Sequence, residues 1–232
     1  MSVGSFTSRP VQVTVQGPDL NPPVRHMVIE GPIGVGKTSL ALKLASRWSM
    51  RTVLEQPGDN PFLDRFYQQG ARYALPAQLS FLLQRAAQSR EIALAVDLGP
   101  PVVTDFMRQK DELFARLTLP DDEFSLYREL ARQVQLAPGA PDLVIYLQAS
   151  PEVLFARIQR RAISSEQLIT DHYLRALCRA YDNYFYHYSE APVLTVNTEH
   201  FNPLENDADM ALLIERIGNL RGRKTSFVKG TP

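Results

Sequence analysis

The chain has 232 residues, 44% hydrophobic and 22% charged, close to globular averages and enough for one sizeable core. Lys and Arg total 25, as do Asp and Glu, so no net field draws the chain to nucleic acid or a membrane surface. A single cysteine, Cys178, excludes an internal disulfide, and no apolar run reaches the ~18 residues of a bilayer span. Together these predict a soluble, cytoplasmic protein, with Cys178 a packed residue rather than a nucleophile.

Residues 1–24 carry Gly, Ser, Pro and Asn at short intervals, which predicts a flexible leader in which only VQVTV suggests a strand. From there the pattern alternates. Short β-branched runs occur at HMVIE, RTVLE, PVVTD, DLVIYLQ and PVLTVN. Between and after them lie helical stretches at 37–48, about 61–69, 76–96, about 109–135, 151–161, 170–188 and 207–219. Five strands joined by crossover helices predict one α/β domain over 25–220, its five-stranded parallel sheet flanked by helices on both faces. Residues 221–232 are basic and rich in breakers, which predicts a flexible tail. In such folds ligands gather beyond the carboxyl ends of the strands. Gly31, Glu55, Asp105, Gln148 and Asn197 sit at or just after those ends.

Between the first strand and first helix the chain reads Gly31-Pro32-Ile33-Gly34-Val35-Gly36-Lys37-Thr38, followed by Ser39. This is the full G-x-x-x-x-G-K-[ST] pattern in the strand–loop–helix context that makes it credible. Glycines let backbone N–H groups turn toward phosphate oxygens, and the helix N-terminus adds partial positive charge. Lys37 would reach the terminal phosphates of ATP, and Thr38 would ligate Mg²⁺. Asp105, ending PVVTD, fits a second Mg²⁺ carboxylate; capping the following helix is the other reading. Phe106 stands where hydrolytic ATPases commonly carry Glu, and there is no N-K-x-D guanine motif. Both features argue against hydrolysis.

Three further groups bear on the acceptor. Glu55 ends the second strand, where a carboxylate could take a proton from an attacking hydroxyl or simply be solvated. Gln78, Phe81, Leu82 and Arg85 fall on one face of a helix, suited to a flat heterocycle if Gln78 and Arg85 do not merely reach water. Asp111 is a candidate partner for Arg85. Arg157, Arg160 and Arg161 end a helix before Ser164-Ser165-Glu166-Gln167, which reads as the cap of the next helix. A basic connection over about 157–168 suits a lid closing on a triphosphate, and equally a solvated helix end.

IEGPIGVGKTSLA, LEQPGDNPFLDRFY, the Gln78 helix, VVTDFMRQKDELFARLTL, PDLVIYLQASPEVLFARIQRR and YLRALCRAYDNYFYHY resemble, in that order, the deoxynucleoside kinase family. The likeness is greatest to its bacterial deoxyadenosine/deoxyguanosine kinase branch. The resemblance implies a P-loop kinase with a helical lid, using ATP and Mg²⁺ to phosphorylate a deoxynucleoside, purine by preference, at its 5′-hydroxyl for nucleotide salvage. Glu55 matches the base, Gln78 and Arg85 match the contacts to the nucleobase, and Asp111 matches the acidic partner of that pair. Tyr67 and Glu166 match the groups on the sugar 3′-hydroxyl, and Arg157 and Arg161 the lid arginines. A homodimer is implied, with pairing to a related kinase chain as a variant. Two positions depart: Asp105-Phe106-Met107 replaces an acidic-Arg-Ser motif, and Arg161-Ala162-Ile163 replaces Arg-Gly-Arg. A nucleoside monophosphate kinase and a catalytically weak regulatory subunit are the rival classes.

Overall fold

A computed structural model describes residues 24–134, 139–164 and 166–229. The leader up to residue 23, including VQVTV, lies outside the described residues, as does Ser165 of the expected cap. Fourteen main elements follow in chain order: β1 (His26–Glu30), α1 (Lys37–Trp48), β2 (Arg51–Val53), α2 (Leu63–Gln69), α3 (Ala71–Leu98), β3 (Val102–Thr104), α4 (Lys110–Thr118), α5 (Asp121–Gln133), β4 (Leu143–Gln148), α6 (Pro151–Arg161), α7 (Asp171–His187), β5 (Val193–Asn197), α8 (Asp207–Gly218) and β6 (Lys224–Phe227).

The strands form one sheet in the order β2-β3-β1-β4-β5-β6, every pair parallel. β1 is buried along its whole length and β4 along all but its last residue, as strands covered on both faces must be. Leu40, Leu44, Leu154, Ile158, Leu174 and Leu177 from α1, α6 and α7 join them in the main core. Each such side chain contributes about 2–3 kcal/mol of burial.

Four expectations need correction. The sheet has six strands, not five: Lys224–Phe227, read as part of a flexible tail, pairs with β5. Thr225 and Phe227 turn inward while Lys224 and Ser226 face out, and Phe227 packs edge-on against Phe201 at 5.1 Å. On an edge strand only one side of a short period-2 pattern is apolar, and the surrounding Arg, Lys and Gly mask it. The helix expected over about 109–135 is two, α4 and α5, because Pro120 turns Leu119 extended (φ −102°, ψ 142°) and begins the second. The helix expected to open at residue 76 starts at Ala71, with Pro76 tolerated in its second turn. The cap of α7 is Thr170, whose side chain accepts from Tyr173 N at 3.2 Å.

Because every strand runs the same way, the ends of β1, β2 and β3 open onto one edge of the sheet. A cavity of about 670 Å³ lies there, lined by the P-loop, Glu55, Asp105 and faces of α2, α3, α4 and α7. Among the described residues no helix is long and apolar enough to cross a membrane.

Candidate active site

The P-loop is built by backbone that other residues could not follow. A Cβ on Gly31 would sit 2.4 Å from the Leu147 carbonyl oxygen, and Gly36 takes φ 103° as the cap of α1. Val35 is buried in the core, whereas Ile33, Gly34, Gly36, Lys37, Thr38 and Ser39 line the cavity. Lys37 folds back over the loop, donating from Nζ to the carbonyls of Gly31 at 2.7 Å and Pro32 at 3.1 Å. Burial, then the nearby charge of Lys110, lowers its pKa to about 8. Beneath the loop lies Glu30, fully buried at the end of β1. It accepts from Gly31 N (2.9 Å), Met107 N (2.8 Å) and the Tyr181 hydroxyl (2.9 Å), tying the P-loop to the end of β3 and to α7. Burial raises its pKa despite the charges of Lys110 and Lys37.

Asp105 joins the donor and acceptor halves. Its Oδ2 accepts from the Thr38 hydroxyl and its Oδ1 from the Glu55 backbone N–H at 2.7 Å. A hydroxyl and a carboxylate already converging in this way are the hard oxygen pair that Mg²⁺ takes alongside substrate phosphates. Among the described residues no cluster of three or more His, Cys, Asp or Glu forms a fully protein-bound metal cage.

Glu55 is held through both oxygens: Oε1 accepts from Arg85 Nη2 at 2.8 Å and Oε2 from Lys110 Nζ at 2.6 Å. Burial alone would raise its pKa, but the charges of Lys110 and then Arg85 outweigh it and bring it down to about 2. Glu55 is therefore ionised at neutral pH.

Arg85 is 1% exposed and lies behind the cavity wall rather than in it. Its Nε and Nη2 donate to Asp111 at 3.2 Å each, its Nη1 to Gln88 at 2.9 Å, and its guanidinium lies 3.7 Å from the Phe106 ring centroid. Burial opposes its charge, yet Asp111 and Glu55 more than compensate and keep it protonated. Gln78, Phe81 and Asp111 do line the cavity, with Gln78 donating to Thr118 Oγ1 at 3.2 Å.

At the far side Tyr67, Tyr173, Arg161, Ile163 and Glu166 complete the wall. Arg161 forms a bidentate ion pair with Glu166, so the two residues expected to hold phosphate and sugar hold each other in this state. Arg157 points away from the cavity, donating to Thr198 Oγ1 (2.9 Å) and its carbonyl (2.6 Å). Arg108 also stays outside, on the surface beside Glu190 at 3.5 Å.

Among the cavity residues that the sequence did not single out, Asn60 and Lys110 are both buried and polar. Asn60 is buried, bonded to the Ala77 carbonyl at 3.0 Å and to Phe62 N at 3.0 Å, which shapes the irregular exit from β2. Asn in a Pro- and Gly-rich segment signalled a turn, and nothing more. Lys110 is buried at the start of α4, next to Asp111, and the sequence offered no reason for a lysine there to be desolvated.

The profile of the family described as deoxynucleoside kinase matches residues 27–220. A deoxyguanosine kinase of Bacillus subtilis is 32% identical over 174 residues, 74% of this chain and 84% of its own. A deoxyadenosine kinase of Dictyostelium discoideum is 31% identical over 191 residues, 80% of this chain and 77% of its own. The structure of deoxyadenosine kinase from M. mycoides with bound dATP shares the fold with a TM-score of 0.72 at 21% identity, over 84% of this chain and 100% of that one. With the phosphate loop, the strand-end carboxylate and the walled cavity in one register, the chain belongs to the deoxynucleoside kinase family.

Proposed function

We propose that the protein transfers the γ-phosphoryl group of ATP to the 5′-hydroxyl of a deoxynucleoside, with deoxyadenosine and deoxyguanosine as preferred acceptors and deoxycytidine as a further one. The observation that carries the reading is the shared cavity of about 670 Å³: Lys37, Thr38 and Asp105, with Glu55 bonded to Asp105 through its backbone N–H, line the same space as Gln78, Phe81 and Asp111. Its two ends differ in character. Gln78, Phe81 and Asp111 offer an amide, a ring and a carboxylate to a base, while Tyr67 and Glu166 lie at the sugar's side.

In this scheme Glu55, ionised between its two cations, accepts the hydroxyl proton as the oxygen attacks. Lys37 and the P-loop amides hold the terminal phosphates, and Arg161 neutralises charge on the transferred group once it leaves Glu166. Thr38 and Asp105 would hold Mg²⁺, which neutralises the phosphate oxygens when bound. Positioning and charge do most of the work in phosphoryl transfer, so the site needs no covalent intermediate. Arg157, bonded to the loop after β5, supports that loop and swings inward only if the lid over about 157–168 closes.

A cytoplasmic enzyme acting in salvage, as a homodimer or paired with a related kinase chain, completes the reading; the family membership supports it. ADP release measured across deoxynucleosides, ribonucleosides and nucleoside monophosphates is the test. Turnover of purine deoxynucleosides above the other classes is the expected result. ATP binding with no turnover of any acceptor would replace this reading by a regulatory subunit.

A further inference from the structure

The geometry points to Lys110 as a positioning residue for the reaction, the group that fixes the second oxygen of Glu55 in line with the attacking hydroxyl. The inference rests on the kinase reading above. Four observations carry it. Lys110 Nζ lies 2.6 Å from Glu55 Oε2, closer than Arg85 Nη2 to Oε1 at 2.8 Å, so the two cations grip opposite oxygens and leave the carboxylate no free rotation. Lys110 lines the cavity and Arg85 does not, so Lys110 is the grip on the substrate's side.

Nothing about the local fold asks for a lysine here. Lys110 opens α4, where a cation opposes the helix dipole, and it is 8% exposed, which costs an ammonium its hydration. Asp111, next in the chain, is the residue such a helix start favours. The position therefore carries an electrostatic cost that the Glu55 contact offsets. The last observation is Phe106. Following the Asp105 carboxylate, it offers its ring to the Arg85 guanidinium at 3.7 Å and no charge to Glu55. A cation at the outer oxygen must then come from another element, and α4 supplies it.

Around this pair stand Glu30 from β1, Lys37 from α1, Arg85 from α3, Asp105 after β3 and Asp111 from α4. The ammonium bonded to Glu55 thus shares one cavity with Lys37. With Lys110 removed, Glu55 would keep Arg85 alone and could turn about that single contact, losing the alignment a hydroxyl needs to attack.

The test measures kcat, both KM values and thermal unfolding for wild type, Lys110→Met, Lys110→Arg, Glu55→Gln and the Glu55→Gln/Lys110→Met double variant. Lys110→Met is expected to lower kcat about 10- to 100-fold, part of the 10²–10⁴-fold a general base contributes, with both KM values changed less than about threefold. Lys110→Arg should recover most of the loss. In the Glu55→Gln background the same change should cost under about threefold, because its effect runs through Glu55. Should Lys110→Met fail to fold, Lys110→Gln carries the same comparison. Full kcat in a folded Lys110→Met or Lys110→Gln, or an equal loss with and without Glu55, overturns the inference while leaving the kinase reading intact. A wild type silent on every deoxynucleoside overturns both.

Discussion

The Arg85 guanidinium lies 3.7 Å from the centroid of the Phe106 ring. At this distance the ring face carries part of the desolvated charge, worth about 2 kcal/mol in a buried setting. The contact gives Phe106 a packing role against the buried Arg85. A second guanidinium there would be packed against Arg85 and close to Lys110. Phe106→Arg is therefore expected to destabilise the protein by about 3 kcal/mol or more, from lost burial and an unpaired charge, and to lower activity rather than raise it. Phe106→Leu should cost less, about 1–2 kcal/mol. Chemical denaturation of both variants beside the wild type checks the order.

Glu55→Gln keeps the shape of the side chain and one acceptor for the cations while removing the base. We expect kcat to fall about 10²- to 10⁴-fold. ATP affinity should change little, because neither Lys37 nor Thr38 is bonded to the Glu55 carboxylate, whose partners are Arg85 and Lys110. Turnover assays beside equilibrium ATP binding separate the two effects. Unchanged kcat would remove Glu55 from the role of base.

Ala162 ends α6 in the left-handed region, φ 53° and ψ 33°. An alanine there costs about 1 kcal/mol relative to glycine, since its Cβ crowds the backbone. Ala162→Gly should therefore stabilise the folded protein by up to about 1 kcal/mol, less whatever the unfolded chain gains in freedom. A modest rise in Tm is the readout, and a fall would mean that the unfolded-state term dominates.

His26 provides a pH-dependent stability. It is 6% exposed, and neither ring nitrogen has a hydrogen-bond partner among the described residues. Burial lowers its pKa to about 4, against a smaller opposing pull from Asp142. The unfolded chain, with His26 near its ordinary value of about 6.5, binds the proton more readily. Stability from this group is complete above about pH 6.5 and is lost as pH falls, levelling off near 4. The loss amounts to roughly 3 kcal/mol at most. His26→Leu should flatten that part of the curve, as the difference between two urea titration series at pH 7 and pH 4.5 would show.

Much of the donor half was legible because its causes are local. The spacing of Gly31, Gly34 and Gly36 before Lys37 dictates a loop and a helix start within a dozen residues. The apolar runs of β1, β4 and β5 mark strands buried on both faces. β6 was missed because a four-residue edge strand exposes every second side chain, and its basic neighbours look like those of a tail. The break between α4 and α5 was missed although Pro120 announces it. The helical period continues on both sides and hid the interruption.

The acceptor half divides differently. Glu55, Gln78, Phe81 and Asp111 could be named from strand ends and helix spacing, and they do line one cavity. No periodicity indicates that Arg85 lies behind that wall, or that Arg157 binds Thr198 instead of facing the phosphates. Nor does it indicate that Arg161 and Glu166 hold each other. These are contacts between residues far apart in sequence or across the connection from α6 to α7, decided by where α3, α4 and α6 settle on the sheet.

The sequence by itself determined that the chain holds a polyphosphate and that a carboxylate stands near the sheet's carboxyl edge, because backbone conformation and strand direction follow from nearby residues. Only the tertiary structure decided which cations reach that carboxylate. Charge and desolvation depend on distances between elements, and it is packing that brings Lys110 and Arg85 within 3 Å of Glu55.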